Sequence, residues 1–77
     1  MMASKHATAF GQAVTRCTPR DGDGVHGCGV VKMKSGRYVE VNNWLEIEVK
    51  AGQWVKLKQF RPEGSWHVMH VEQRRPQ

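Results

Sequence analysis

From Val30 to Glu72 apolar and polar residues alternate with a period of two, the pattern of strands that bury one face. A short unit punctuates this pattern three times. Met33-Lys34-Ser35-Gly36-Arg37-Tyr38-Val39 aligns with Val49-Lys50-Ala51-Gly52-Gln53-Trp54-Val55 and, more loosely, with Arg61-Pro62-Glu63-Gly64-Ser65-Trp66-His67. Each copy sets a Gly two residues before an aromatic and leads into an alternating run. A type I turn followed by a left-handed Gly is a common three-residue hairpin loop, so the units predict hairpins with loops 34–36, 50–52 and 62–64. Gly36 and Gly52 are the expected positive-φ positions, followed by Gly64, and Pro62 supplies a φ that such a turn already requires.

Facing apolar residues must share a side of the sheet, and this fixes a register. Three-residue loops pair Val31 with Val39, Ile47 with Val55, Leu45 with Leu57, Leu57 with Met69, Val55 with Val71 and Phe60 with Trp66. They also set Glu46 opposite Lys56 as a cross-strand ion pair. The expected strands lie near 28–33, 37–42, 44–49, 53–60 and 65–72, with Asn42-Asn43 as a corner. Upstream, Ala7–Cys17 is open to strand or helix. Its Thr, Val and Phe residues favour a strand, while its alanines suit a helix. The segment 18–27 reads as an exposed loop.

The predicted fold is all-β, a small SH3-like or OB-like barrel built from an antiparallel meander of five to six short strands that closes to hide its edges. Residues 1–6 are expected to be disordered, 7–72 to form the single domain, and 73–77 to fray as a basic tail. At 77 residues, such a domain buries only about 60–65% of its unfolded surface, so the core is thin.

The expected core face is Val31, Val39, Val41, Leu45, Ile47, Val49, Val55, Leu57, Met69 and Val71. The other face collects Lys32, Tyr38, Trp44, Glu46, Glu48, Trp54, Lys56, Lys58, Phe60, Trp66, Val68 and His70. All three Trp residues fall there. An exposed cluster of this kind marks either a binding surface or, if strands change face at bulges, a second small core beneath the N-terminal segment.

Charge sharpens the first alternative. Twelve Lys and Arg stand against seven Asp and Glu, a net +5, which favours polyanionic partners. Aromatic rings interleaved with cations are the chemistry of single-strand recognition, with bases on rings and phosphates on cations. The expected function is therefore binding of single-stranded DNA or RNA with weak sequence preference. The candidate residues are Lys32, Tyr38, Trp44, Trp54, Lys56, Lys58, Phe60, Arg61 and Trp66, with Lys34, Arg37, Arg74 and Arg75 adding electrostatic reach. A second expectation from the same face is an SH3-like protein-interaction module, an adaptor or an inhibitor of a larger enzyme. A third is a homodimer interface; the chain is otherwise a monomer.

Other motifs add little. Asp21-Gly22-Asp23-Gly24 has the opening of a calcium loop without its later ligands, and reads as a plain turn. Cys17 and Cys28 flank the 18–27 loop and are placed to face each other across a hairpin, but no Cys-x-x-Cys spacing accompanies them, so no metal or other cofactor is expected. His67 and His70, three apart on a strand, should point to opposite faces. No nucleophile, phosphate loop or acid/base pair stands in a catalytic pattern, so no enzyme activity is expected. With no apolar run near 18 residues and no apolar segment within the first ten, no membrane partner is expected and the expected address is cytoplasmic.

Overall fold

The computed structural model describes residues 7–75. The segment 1–6 and the last two residues of the basic tail lie outside the described residues. Five strands form among the described residues: β1 (Ala7–Ala13), β2 (Gly27–Met33), β3 (Tyr38–Asn43), β4 (Trp54–Gln59) and β5 (Trp66–Glu72). They close into one barrel in the order β1-β2-β3-β5-β4, and no helix occurs among the described residues. The ambiguous N-terminal segment is a strand over its first seven residues.

The barrel is not a simple meander. β4 returns to lie beside β1, giving the spatial order 4-1-2-3 of a Greek key. β5 then closes the gap, antiparallel to β4 and parallel to β3. Of the two barrel types expected, this Greek-key closure is the OB-like one.

The expected third strand, 44–49, is the main correction. Its only ladder contact is an isolated bridge between Val49 and Cys17. Asn43, fully buried at the end of β3, explains why. Its Oδ1 accepts the Leu45 N–H at 3.0 Å, and its Nδ2 donates to the carbonyls of Ile47 at 3.1 Å and Thr18 at 2.9 Å. Backbone groups that a hairpin would need are therefore held by one side chain.

β4 finds a longer ladder on β1, with six register pairs from Ala7↔Gln59 to Gln12↔Trp54. The small inner residues Ala9 and Gly11 face Leu57 and Val55, so large and small side chains alternate across the barrel. The expected pairs Ile47–Val55, Leu45–Leu57 and Glu46–Lys56 do not form. Glu46 pairs instead with Arg20, and Glu48 with Arg16. Ile47 is 57% exposed.

The turn chemistry is retained where the hairpin is lost. Gly36 and Gly52 both have φ +94°. At the first, Gly36 N–H donates to Met33 C=O and Met33 N–H to Arg37 C=O, both at 2.8 Å, closing the β2–β3 hairpin. At the second, Gln53 N–H reaches Lys50 C=O at 3.1 Å, and Gly52 N–H reaches Ala13 C=O at 2.8 Å. That turn hands β4 to β1 rather than folding it back. In the third, the left-handed residue is Glu63 (φ 63°) rather than Gly64.

The core is Ala13, Cys17, Val31, Val39, Val41, Val49, Val55, Leu57 and Val68, with Met33, Leu45, Trp66 and Val71 packed against it. Its Val-rich make-up suits a pleated surface, where β-branched side chains lose little freedom. Val31↔Val39 and Val55↔Val71 pair as expected. Between them and the C-terminal hairpin end, β5 carries a bulge. Lys56 faces His70 and Leu57 faces Val68, leaving Met69 as the extra residue. The bulge reverses the parity of the preceding residues. Val68, expected outside, is buried, and Met69, expected inside, is 38% exposed. Trp66 faces Gln59 rather than Phe60.

Cys17 is buried and Cys28 exposed, both as free thiols. The Sγ of Cys17 occupies the space a side chain on Gly29 would need. In the 18–27 loop, Asp21 Oδ1 accepts the N–H groups of Asp23 and Val25, each at 2.9 Å, so this segment is a self-capped turn.

Candidate functional site

The parallel register of β5 on β3 sets His67 beside Asn42, and so brings the β4–β5 turn up to the start of the β3–β4 excursion and the end of the β1–β2 loop. Asn43 fixes the chain as it leaves β3, and Trp44 follows on the surface, 44% exposed. The indole Nε1 of Trp44 donates to Nδ1 of His67 at 3.1 Å. His26 meets the same indole in an edge-type contact, with ring centroids 5.0 Å apart and planes inclined by 62°. His26 is itself held at its Nδ1, 3.0 Å from the Gly27 carbonyl.

On its other side His67 meets Phe60, with centroids 5.4 Å apart and planes tilted by 53°. Phe60 is 46% exposed, and Lys58 Nζ lies 5.2 Å from its ring centre. The outcome is a continuous row of side chains, His26–Trp44–His67–Phe60–Lys58.

The β4–β5 turn adds a hollow of about 310 Å³ lined by Phe60, Arg61, Gly64, Ser65 and His67. Gly64 N–H donates to Arg61 C=O at 3.0 Å, and the Gln59 amide holds the Gly64 carbonyl at 2.9 Å. The turn is thus pinned at both ends. Aromatic faces, a hydroxyl and a guanidinium line one open cavity.

Electrostatics favour an anion here. Lys58 and Arg61 form no ion pair with a described carboxylate, whereas Arg16 and Arg20 are paired with Glu48 and Glu46. Burial, and secondarily the charge of His26, hold His67 below the usual imidazole range. A neutral imidazole is also what its role as acceptor from Trp44 requires.

The predicted site residues divide into groups. Trp44, Lys58, Phe60 and Arg61 come together around His67. Trp54 and Lys56 lie further along β4 on the same outer side as Lys58. Lys32 and Tyr38 face each other on β2 and β3, with the Lys32 ammonium 5.8 Å from the Tyr38 ring centre. Trp66 is half-buried and packs against the core, so it is not part of the outer surface.

His26 and His67 are absent from the sequence-based set. The Met69 bulge places His67 and His70 on one face, opposite Lys58 and Lys56, where simple alternation separates them. No group of three metal-ligating side chains occurs among the described residues.

Comparison with protein-family models, with curated proteins and with solved structures finds no match to this chain.

Proposed function

We propose that the protein is a single-stranded nucleic-acid-binding barrel with weak sequence preference, and that its primary site is the Trp44–His67–Phe60 row with Lys58 and Arg61. The observation that carries this reading is an open hollow at the β4–β5 turn lined by Phe60 and Arg61, with a second exposed ring, Trp44, joined to it through His67 and a second cation, Lys58, over the Phe60 ring. OB-like barrels use their β1–β2 and β4–β5 loops to bind oligonucleotides. Each base stacked on a ring contributes about 1–3 kcal/mol, and each neutralised phosphate adds a salt-dependent increment. Two stacked rings supply about 2–6 kcal/mol on this scale, and phosphate contacts at Lys58 and Arg61 add to it at low salt.

The reading is tested by titrating a labelled oligonucleotide while following Trp emission at two salt concentrations. Lys58→Glu should weaken binding to all sequences alike and reduce the salt slope by about one unit. Phe60→Ala should weaken binding and leave the slope in place, because stacking releases no counterions. No response at either salt concentration would transfer the aromatic surface to a protein partner.

A further inference from the structure

In OB-like barrels the wall between β2 and β3 accompanies the loops in binding oligonucleotides. In this chain that wall is poorly suited to the task. Its outer residues are Cys28, Val30 and Lys32 on β2 and Tyr38, Glu40 and Asn42 on β3. One ring and one cation occupy its far end, and the exposed carboxylate of Glu40 stands across from Val30.

The outer side of β4 differs. Trp54, Lys56 and Lys58 alternate along it and lead to Phe60, a span of six residues or roughly 20 Å at about 3.3 Å per residue. Neighbouring strands widen the ridge. Phe10 on β1 lies opposite Lys56, with the Lys34 ammonium 5.7 Å from its ring centre. Arg75 sets its guanidinium 5.5 Å from the Trp54 ring centre. His70 on β5 lies opposite Lys56, and Glu72 opposite Trp54. Lys56, Lys58 and Arg75 make no ion pair with a described carboxylate, so the ridge is a net cationic track with a ring at each end.

We infer that a bound single strand leaves the loop-end site along the outer ridge of β4, over Lys58 and Lys56 to Trp54 and Arg75, and does not cross the β2–β3 wall. This inference rests on the nucleic-acid reading above and adds the path of the strand. Phosphates displace Arg75 from the Trp54 ring and take its charge, freeing that face for a base. The occupant is fixed by charge complementarity, since two cations spaced along β4 and a third, Arg75, over Trp54 at its start match a polyphosphate better than an uncharged peptide.

The experiment uses the full chain and two oligothymidylates, of about five and about sixteen nucleotides, spanning the site sizes of such barrels. At about 50 mM salt the longer strand should bind at least tenfold more tightly than the shorter. Trp54→Ala, Lys56→Glu and Arg75→Glu should each weaken the longer strand about tenfold and change the shorter by less than about twofold. Lys56→Glu and Arg75→Glu lie outside the packed core, so they report on the ridge even if Trp54→Ala fails to fold. Tyr38→Ala should leave both strands bound. Equal affinity of the two strands, or a loss on Tyr38→Ala matching that on Lys56→Glu, overturns the ridge and leaves the loop-end site standing. Absence of binding by either strand overturns both readings.

Discussion

Trp44 and His67 share one proton, carried on the indole Nε1 and accepted by the imidazole Nδ1 across 3.1 Å. A protonated imidazole has two donors and no acceptor, so the contact exists only while His67 is neutral. Because burial and then His26 lower its pKa from 6.5, the unfolded chain takes up the proton first as pH falls. The stability this group contributes is therefore fully present above about pH 6.5 and declines as pH drops toward the lowered folded value. Thermal melts between about pH 7.5 and 5 should show this decline. His67→Gln removes the titrating group and should flatten the dependence. A slope unchanged in that variant would assign the effect to another group.

Asn43 supports the strongest stability prediction. Its side chain holds three backbone groups, those of Thr18, Leu45 and Ile47, in a fully buried setting. Asn43→Ala should cost about 3 kcal/mol, from hydrogen bonds worth roughly 1 kcal/mol each. Asn43→Asp keeps the Leu45 contact but turns an oxygen toward two carbonyls, and should be no less harmful. Urea denaturation measures both. A loss below about 1 kcal/mol for Asn43→Ala would mean that the 44–49 excursion is held by something else.

The two left-handed turns of opposite chemistry give a paired test. Gly52 has φ +94° and open space where a Cβ would sit, so Gly52→Ala introduces backbone strain alone. It should lower stability by about 1–2 kcal/mol. Glu63 already bears that strain at φ 63°, and Glu63→Gly should raise stability by up to about 1 kcal/mol, offset in part by the entropy of a new glycine. If both substitutions shift the melting temperature in the same direction, the backbone assignment at one of the two turns is wrong.

Thiol reactivity should separate the two cysteines. Cys28 is exposed, while Cys17 is buried and its thiol is pushed above 9.0, chiefly by burial and then by Cys28. An aromatic disulfide reagent should label Cys28 rapidly in the native protein and reach Cys17 only on unfolding. Rapid labelling of both would contradict the packing of Cys17 against Gly29.

The sequence carried the closed β-architecture and two of its registers. Val31–Val39 and Val55–Val71 were legible because the turn residues fix the first and the alternation of large apolar side chains fixes the second. The partner of β4 was not, since Ala9 and Gly11 leave almost no hydrophobic signal while Leu45 and Ile47 leave a strong one. The side-chain hydrogen bonds of Asn43, which decide between the two, have no signature in an apolar/polar pattern. Nor has the bulge: Met69 is apolar at an expected core position, and only the pairing of Leu57 with Val68 shows that it is the extra residue. Half the aromatic row was therefore readable, Trp44 and Phe60, while His67, which joins them, was hidden by the parity change.

The Greek-key closure also orders the chain in time. β1 needs β2 on one side and β4 on the other, and its register partner for Ala9 is Leu57, 48 residues later (57 − 9). During synthesis from the N-terminus, β1 and β2 emerge well before β4, so the far edge of β1 stays unpaired until nearly the whole chain is available. Contacts this distant in sequence are slow to form, whereas the β2–β3 hairpin closes over a three-residue loop. Pulsed hydrogen exchange during refolding should accordingly protect the Val31 amide region before that of Ala9. The exposed edge of β1 leaves the nascent protein open to association until Trp54–Gln59 arrives, and the free edges of β3 and β4 are covered only when β5 shuts the barrel.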